Sequence, residues 1–219
     1  MNIILISGKI DSGKTTLANF IEEELLKHKL TVRRDYFARL IKDYVSEDFE
    51  LLASVLNAKT HRMKELLISI MDSIGSTPAT QQLVQEINQL QIEKGNWYEE
   101  KTDITRTILQ EYGNSIKKRV DDNFWCNLLK NNTLKCKEDI LIIMDARYLN
   151  EISFGDDTEN TIYKVRLTSS INTFNSKHSS ETGLDSYEGW SFVIDNKNRD
   201  LHKLRDSAKI VVKTILKGL

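Results

Sequence analysis

The 219-residue chain has one proline, Pro78, and nine glycines. That scarcity excludes a collagen-like or Pro/Gly-rich low-complexity chain and favours long helices over many tight turns. It has two cysteines, Cys126 and Cys136, with no cysteine or histidine at metal-ligand spacing nearby. Reduced thiols of a cytosolic protein are therefore expected rather than a disulfide framework or a zinc site. Long apolar runs are missing too. The longest is Ile140 to Met144, far too short to span a bilayer. The opening MNIILISGK has no basic leader before its apolar stretch, so no secretory signal is expected and the cytoplasm is the expected location. Net charge is almost absent, with 31 Lys+Arg against 32 Asp+Glu. That argues against retention on long nucleic acid or anionic membrane by overall charge, but it leaves local clusters of cations open.

What is present begins with a pattern. Asn2 to Ser7 reads as a buried strand, Gly8 to Gly13 as a turn, and Leu17, Phe20, Ile21 and Leu25 as one face of a helix. Leu30 to Tyr36 reads as a second strand. Such a unit implies a parallel sheet. Asp139 to Asp145, Thr161 to Leu167 and Phe192 to Ile194 read as three further strands, and Leu201 to Leu216 as a closing helix. The expected fold is α/β, a three-layer single domain over 1–219 with a parallel five-stranded sheet. Between the strands, residues 44–130 read as a helical insertion. Its stripes are Met63, Leu66, Leu67, Ile70, Met71 and Ile74, then Leu83, Ile87 and Leu90, broken at Gly75 to Ala79. Ile104 to Tyr112 and Ile116 to Leu129 are expected as two more helices, with Val120, Phe124, Trp125 and Leu128 on one face of the second. Exposed apolar surface on the insertion would allow a homodimer. The polar stretch 168–189 reads as a lid-like flap.

GKIDSGKT, Gly8 to Thr15, matches GxxxxGK[ST] after a strand and before a helix. Glycines there let the backbone wrap a phosphate with its N–H groups inward, and the helix N-terminus faces the same anion. ATP is the expected ligand. Asp11, Ser12, Gly13, Lys14, Thr15 and Thr16 would contribute to its site, Lys14 reaching the β- and γ-phosphates and the Thr15 hydroxyl ligating Mg²⁺. No NKxD-type element for reading guanine is visible, so a GTPase is not favoured.

Asp145 ends the central strand, where ligands bind in open α/β sheets. It could hold Mg²⁺ or accept a proton; the plainer alternative is a helix cap. Asp35 is a rival carboxylate. Arg147 could clamp a phosphate and Glu151 could hold an arginine. Arg106 and Gln110 share a helical face that suits a phosphate and a base, or else simply faces solvent. Lys42, Lys118 and Arg119 are further cations for an acceptor. His178, Ser180 and Glu181 fall in the flap; Ser180 and Glu181 could instead cap a helix.

Several segments resemble, in order, the deoxynucleoside monophosphate kinases of phages and bacteria: the phosphate loop, FARLIKD (Phe37 to Asp43), ILQEYG (Ile108 to Gly113), DNFW (Asp122 to Trp125), DARYLNE (Asp145 to Glu151), HSSE (His178 to Glu181) and VIDN (Val193 to Asn196). Arg39 and Leu40 stand where that family has an acid and a proline, and Asn114 where it has threonine. The family's arginine after LQxxG falls near Lys118 and Arg119. The resemblance implies a P-loop kinase fold with the insertion as acceptor-binding part. It also implies transfer of the ATP γ-phosphoryl to a deoxynucleoside 5′-monophosphate, with Lys14, Arg119, Asp145 and Arg147 catalytic and Asn196 beside ATP. The segment SETGLDSYEGWSFVIDN also resembles animal phosphomevalonate kinases, which fit the LQxxG element less well. That acceptor, and a nucleotide-binding switch without kinase activity, are the alternatives.

Overall fold

The computed structural model describes residues 1–45, 103–133, 135–169 and 179–219. The stripes expected at 63–90 and the break around Pro78 lie outside the described residues, as does His178. The chain divides into two compact units, one of residues 1–37 with 125–219 and one of residues 38–124.

The first unit holds strands β1 (Asn2–Gly8), β2 (Val32–Asp35), β3 (Ile140–Ala146), β4 (Thr161–Thr168) and β5 (Phe192–Asp195). They form one sheet in the order β2-β3-β1-β4-β5, every pairing parallel. The expected α/β class and five parallel strands are therefore present. β1 and β3 are continuously apolar through their centres, at Ile3 to Ile6 and Ile140 to Met144, because both faces are covered. Ile4 and Ile6, with Ile140 and Ile142, pack against Leu17, Ile21 and Leu25 of helix α1 (Lys14–Lys27). Leu204, Ala208, Val211 and Ile215 of the C-terminal helix (Leu201–Lys217) join the same cluster. Ile3, Leu5, Leu141 and Ile143 project to the other face and are fully buried as well. Asp200 starts the C-terminal helix by accepting the backbone N–H groups of His202 and Lys203.

This strand order positions the site. From β1 the chain moves to β2 on one side of the sheet, and from β3 it moves to β4 on the other. The carboxyl ends of the neighbouring strands β1 and β3 thus sit at a switch point, where open α/β sheets bind ligands. The β1–β3 register also slips there. Leu5 pairs with Ile143 and Ser7 with Ala146, so Met144 and Asp145 stand opposite Ile6 alone. Bulges of this kind re-aim side chains beside functional sites.

The described part of the second unit contains residues 38–45 of a helical stretch that starts at Phe37, and helix α2 (Asp103–Arg119). Here the structure corrects the sequence reading. The helix expected to end at Tyr112 runs through Gly113 and Asn114 to Arg119, and the next helix, α3, is Phe124–Thr133. One glycine in a helix costs only about 1 kcal/mol, which long flanks outweigh. The chain breaks instead at Asp121 to Asn123, where the Asp121 carboxylate accepts the Asn123 N–H at 3.0 Å and its carbonyl accepts Phe124 N–H at 3.0 Å. Val120 is therefore outside the helix it was assigned to and is 64% exposed, whereas Trp125 and Leu129 are buried.

Candidate active site

Between β1 and α1 the loop carries two left-handed residues, Asp11 with φ 57° and Gly13 with φ 97°. Gly13 has a second reason to lack a side chain: a Cβ there would stand 2.6 Å from Asn196 Nδ2. The Asn196 amide is buried behind the loop and donates to the Ser12 carbonyl at 2.9 Å. Asn196, expected beside ATP, thus holds the loop's shape through its backbone. At Gly8 a Cβ would meet Ser12 Oγ at 2.5 Å and the Leu167 carbonyl at 2.9 Å. Ser12 Oγ is itself buried with no hydrogen-bond partner among the described residues. No side chain caps the first turn of α1, and no acidic residue lies in it. Unclaimed N–H groups at a helix start, a glycine cradle and an orphaned buried hydroxyl are what an incoming phosphate satisfies.

Lys14 Nζ donates to the carbonyls of Gly8 and Lys9, both at 2.7 Å. Burial pushes its pKa down to about 7, helped by the Arg147 charge; Glu181 and Asp145 act the other way. A triphosphate would restore the ammonium. Chelator-treated protein binding ATP at pH 8 should therefore take up about one proton, since Lys14 starts mostly neutral there. Calorimetry in buffers of different ionisation enthalpy reads this, and Lys14→Met should abolish it. Binding without proton uptake would contradict it.

The charged groups that act on this lysine are Arg147, Glu181, Asp145 and Arg166. Asp145, at the β3 bulge, accepts the Phe37 N–H at 2.8 Å. That bond holds the backbone where the helical stretch 37–45 begins. Arg147 donates to the Ser180 carbonyl at 3.2 Å and pairs with the Glu181 carboxylate. Glu151, 6% exposed, accepts the backbone N–H groups of Arg147 at 2.7 Å and Tyr148 at 3.2 Å. Glu151 thus holds the backbone at Arg147 and Tyr148. Asp35, the rival carboxylate, is 3% exposed and accepts the Tyr36 N–H at 2.8 Å.

The sequence reading missed Lys9, Arg166 and Asp185. Arg166 on β4 donates to Ser7 Oγ and to Asp185, each at 2.9 Å, and Asp185 also accepts from Lys9 at 2.9 Å. Trp190 stacks on the Arg166 guanidinium, 5.5 Å from the ring centre. Lys9, Arg166, Asp185 and Trp190 line an open cavity of about 380 Å³. The available signal was a long cation on the half-buried strand YKVRL, where apolar residues dominate.

In the second unit, Arg106 and Gln110 are half-buried on α2, Lys118 is exposed in its last turn, and Arg119 is its terminal residue. Lys117 lies 3.6 Å from Asp122. Lys42 is half-buried in the stretch 37–45, where Arg39 pairs with Asp43 at 3.0 Å. Ser180 and Glu181, read as flap residues, are buried in a short helix, Ser179–Thr182.

For Mg²⁺, the donors offered are the Thr15 hydroxyl and the Asp145 carboxylate. Among the described residues no group of three or more His, Cys, Asp or Glu could hold a metal alone.

No helix among the described residues is long and apolar enough to cross a membrane. No curated protein matches the chain. A family model described as deoxynucleotide monophosphate kinase matches residues 45–207. The phosphate loop lies outside that span, so loop geometry and family match are separate observations that agree. The match covers about three quarters of the chain, and the chain belongs to the deoxynucleotide monophosphate kinase family.

Proposed function

We propose that the first unit holds the donor, ATP, and that the helical insertion 44–130 supplies the acceptor site. The observation that carries this reading is the loop between β1 and α1, where the close approaches at Gly8 and Gly13, the orphaned Ser12 hydroxyl and the buried Lys14 Nζ lie within eight positions of sequence. The family membership supports a deoxynucleoside 5′-monophosphate as acceptor and gives no support to phosphomevalonate or to a switch without kinase activity.

The reaction needs no covalent intermediate on the protein. A phosphate oxygen of the acceptor is already anionic at neutral pH. It attacks the γ-phosphorus, the bond to the β–γ bridging oxygen breaks, and a deoxynucleoside diphosphate and ADP result. The protein's work is to position two polyanions, neutralise them and exclude water. Lys14 and the loop N–H groups stabilise the donor phosphates, and Arg147 stabilises charge on the transferring group. Mg²⁺ bound by Thr15 and Asp145 would neutralise charge on the donor phosphates. Lys42, Arg106, Lys118 and Arg119 neutralise the acceptor phosphate, and Gln110 reads its base.

Arg106→Ala and Gln110→Ala test the acceptor half. Each should raise the KM for the acceptor by roughly tenfold or more, about the loss of one charge-assisted or well-placed hydrogen bond. The KM for ATP should stay unchanged. An equal rise in both KM values would remove these residues from the acceptor site.

A further inference from the structure

Glu181 belongs to a segment that the sequence presents as a mobile flap, yet its carboxylate is only 7% exposed and both oxygens are engaged. Oε2 accepts the Ile10 backbone N–H of the phosphate loop at 2.9 Å. Oε1 pairs with Nη1 of Arg147, which also donates to the Ser180 carbonyl at 3.2 Å. The turn after this short helix packs tightly: a Cβ on Gly183 would lie 2.8 Å from the Arg147 carbonyl and 2.9 Å from that of Ser179. Tyr148 Oη and Ser179 Oγ add a contact at 3.3 Å. One carboxylate thus bridges a loop that wraps phosphate and a cation aimed at phosphate, across 171 positions of sequence.

Arg147 and Lys14 repel each other in this cluster, while Glu181 attracts both. Without Glu181, Arg147 keeps a single neutral acceptor for its guanidinium among the contacts described above, and the Ile10 N–H loses its carboxylate. Either loss frees a group whose placement phosphoryl transfer depends on. We infer that Glu181 is a positioning residue for phosphoryl transfer, holding the phosphate loop at Ile10 and the Arg147 guanidinium in one fixed frame. It touches neither substrate nor product. This inference rests on the reading that Arg147 acts on the transferring phosphoryl group.

The test is steady-state kinetics with ATP varied at saturating acceptor, for Glu181→Ala, Glu181→Gln, Arg147→Ala and the double variant Glu181→Gln/Arg147→Ala. Glu181→Ala should lose about 10²-fold in kcat, the scale of a misplaced catalytic group, and raise the KM for ATP as the loop loosens. Glu181→Gln keeps the size and one oxygen for the Ile10 N–H. Its KM for ATP should stay near the parent's while kcat falls comparably. In the Arg147→Ala background, Glu181→Gln should cost almost nothing more. Turnover is expressed per nucleotide-binding site, so a partly unfolded variant does not imitate the effect. Normal turnover per site in Glu181→Gln, or losses that multiply in the double variant, would overturn the positioning role alone. Normal turnover in Arg147→Ala would overturn the role assigned to Arg147 and this inference with it.

Discussion

Replacing Lys14 with alanine should lower phosphoryl transfer by roughly 10³-fold, the upper range for removing one charge-stabilising donor from a preorganised site. The fold should survive. Lys14 Nζ is held by two carbonyls, of Gly8 and Lys9, and its burial costs stability because the charged form is disfavoured there. Its pKa is 10.5 unfolded and about 7 folded, so between those values the unfolded chain binds the proton more strongly. Stability contributed by this group therefore rises with pH from about 7 to 10.5 and is lowest below 7. Removing the amine should leave the melting temperature at neutral pH unchanged or higher. A variant that is inactive and also fails to melt cooperatively would show Lys14 to be structural.

Replacing Arg147 with alanine should cost about 10²- to 10³-fold in kcat, with a smaller change in the KM for ATP, because the guanidinium is assigned to charge that develops during transfer. Lysine at this position should recover little. Nη1 of the guanidinium makes both contacts, to the Ser180 carbonyl and the Glu181 carboxylate, and it stands one bond farther from the backbone than a lysine ammonium would. Full activity in Arg147→Lys would mean that charge alone matters there. A raised KM for ATP with unchanged kcat would place Arg147 in ground-state binding instead.

The parts of this account that the sequence disclosed are local ones. GKIDSGKT carries the loop within eight positions, and apolar runs mark the centres of β1 and β3. The rest depends on contacts between distant positions. Nothing near Asn196 in sequence indicates that its amide supports the Ser12 carbonyl, and nothing near Glu181 indicates that its carboxylate meets the Ile10 N–H. Arg166 was overlooked because a cation on a strand reads as solvent-facing until Asp185, Ser7 and Trp190 are brought around it. The misplaced helix boundary has a different cause. Gly113 and Asn114 are breakers by propensity, but the Asp121 turn decided where the helix stopped.

The central claim is that this chain phosphorylates deoxynucleoside monophosphates from ATP. ADP release measured across the four common deoxynucleoside 5′-monophosphates, their ribonucleotide counterparts and phosphomevalonate tests it most directly. The account predicts negligible ADP release without acceptor and rapid release with at least one deoxynucleotide. Release that is independent of acceptor, or that occurs with phosphomevalonate alone, would contradict it.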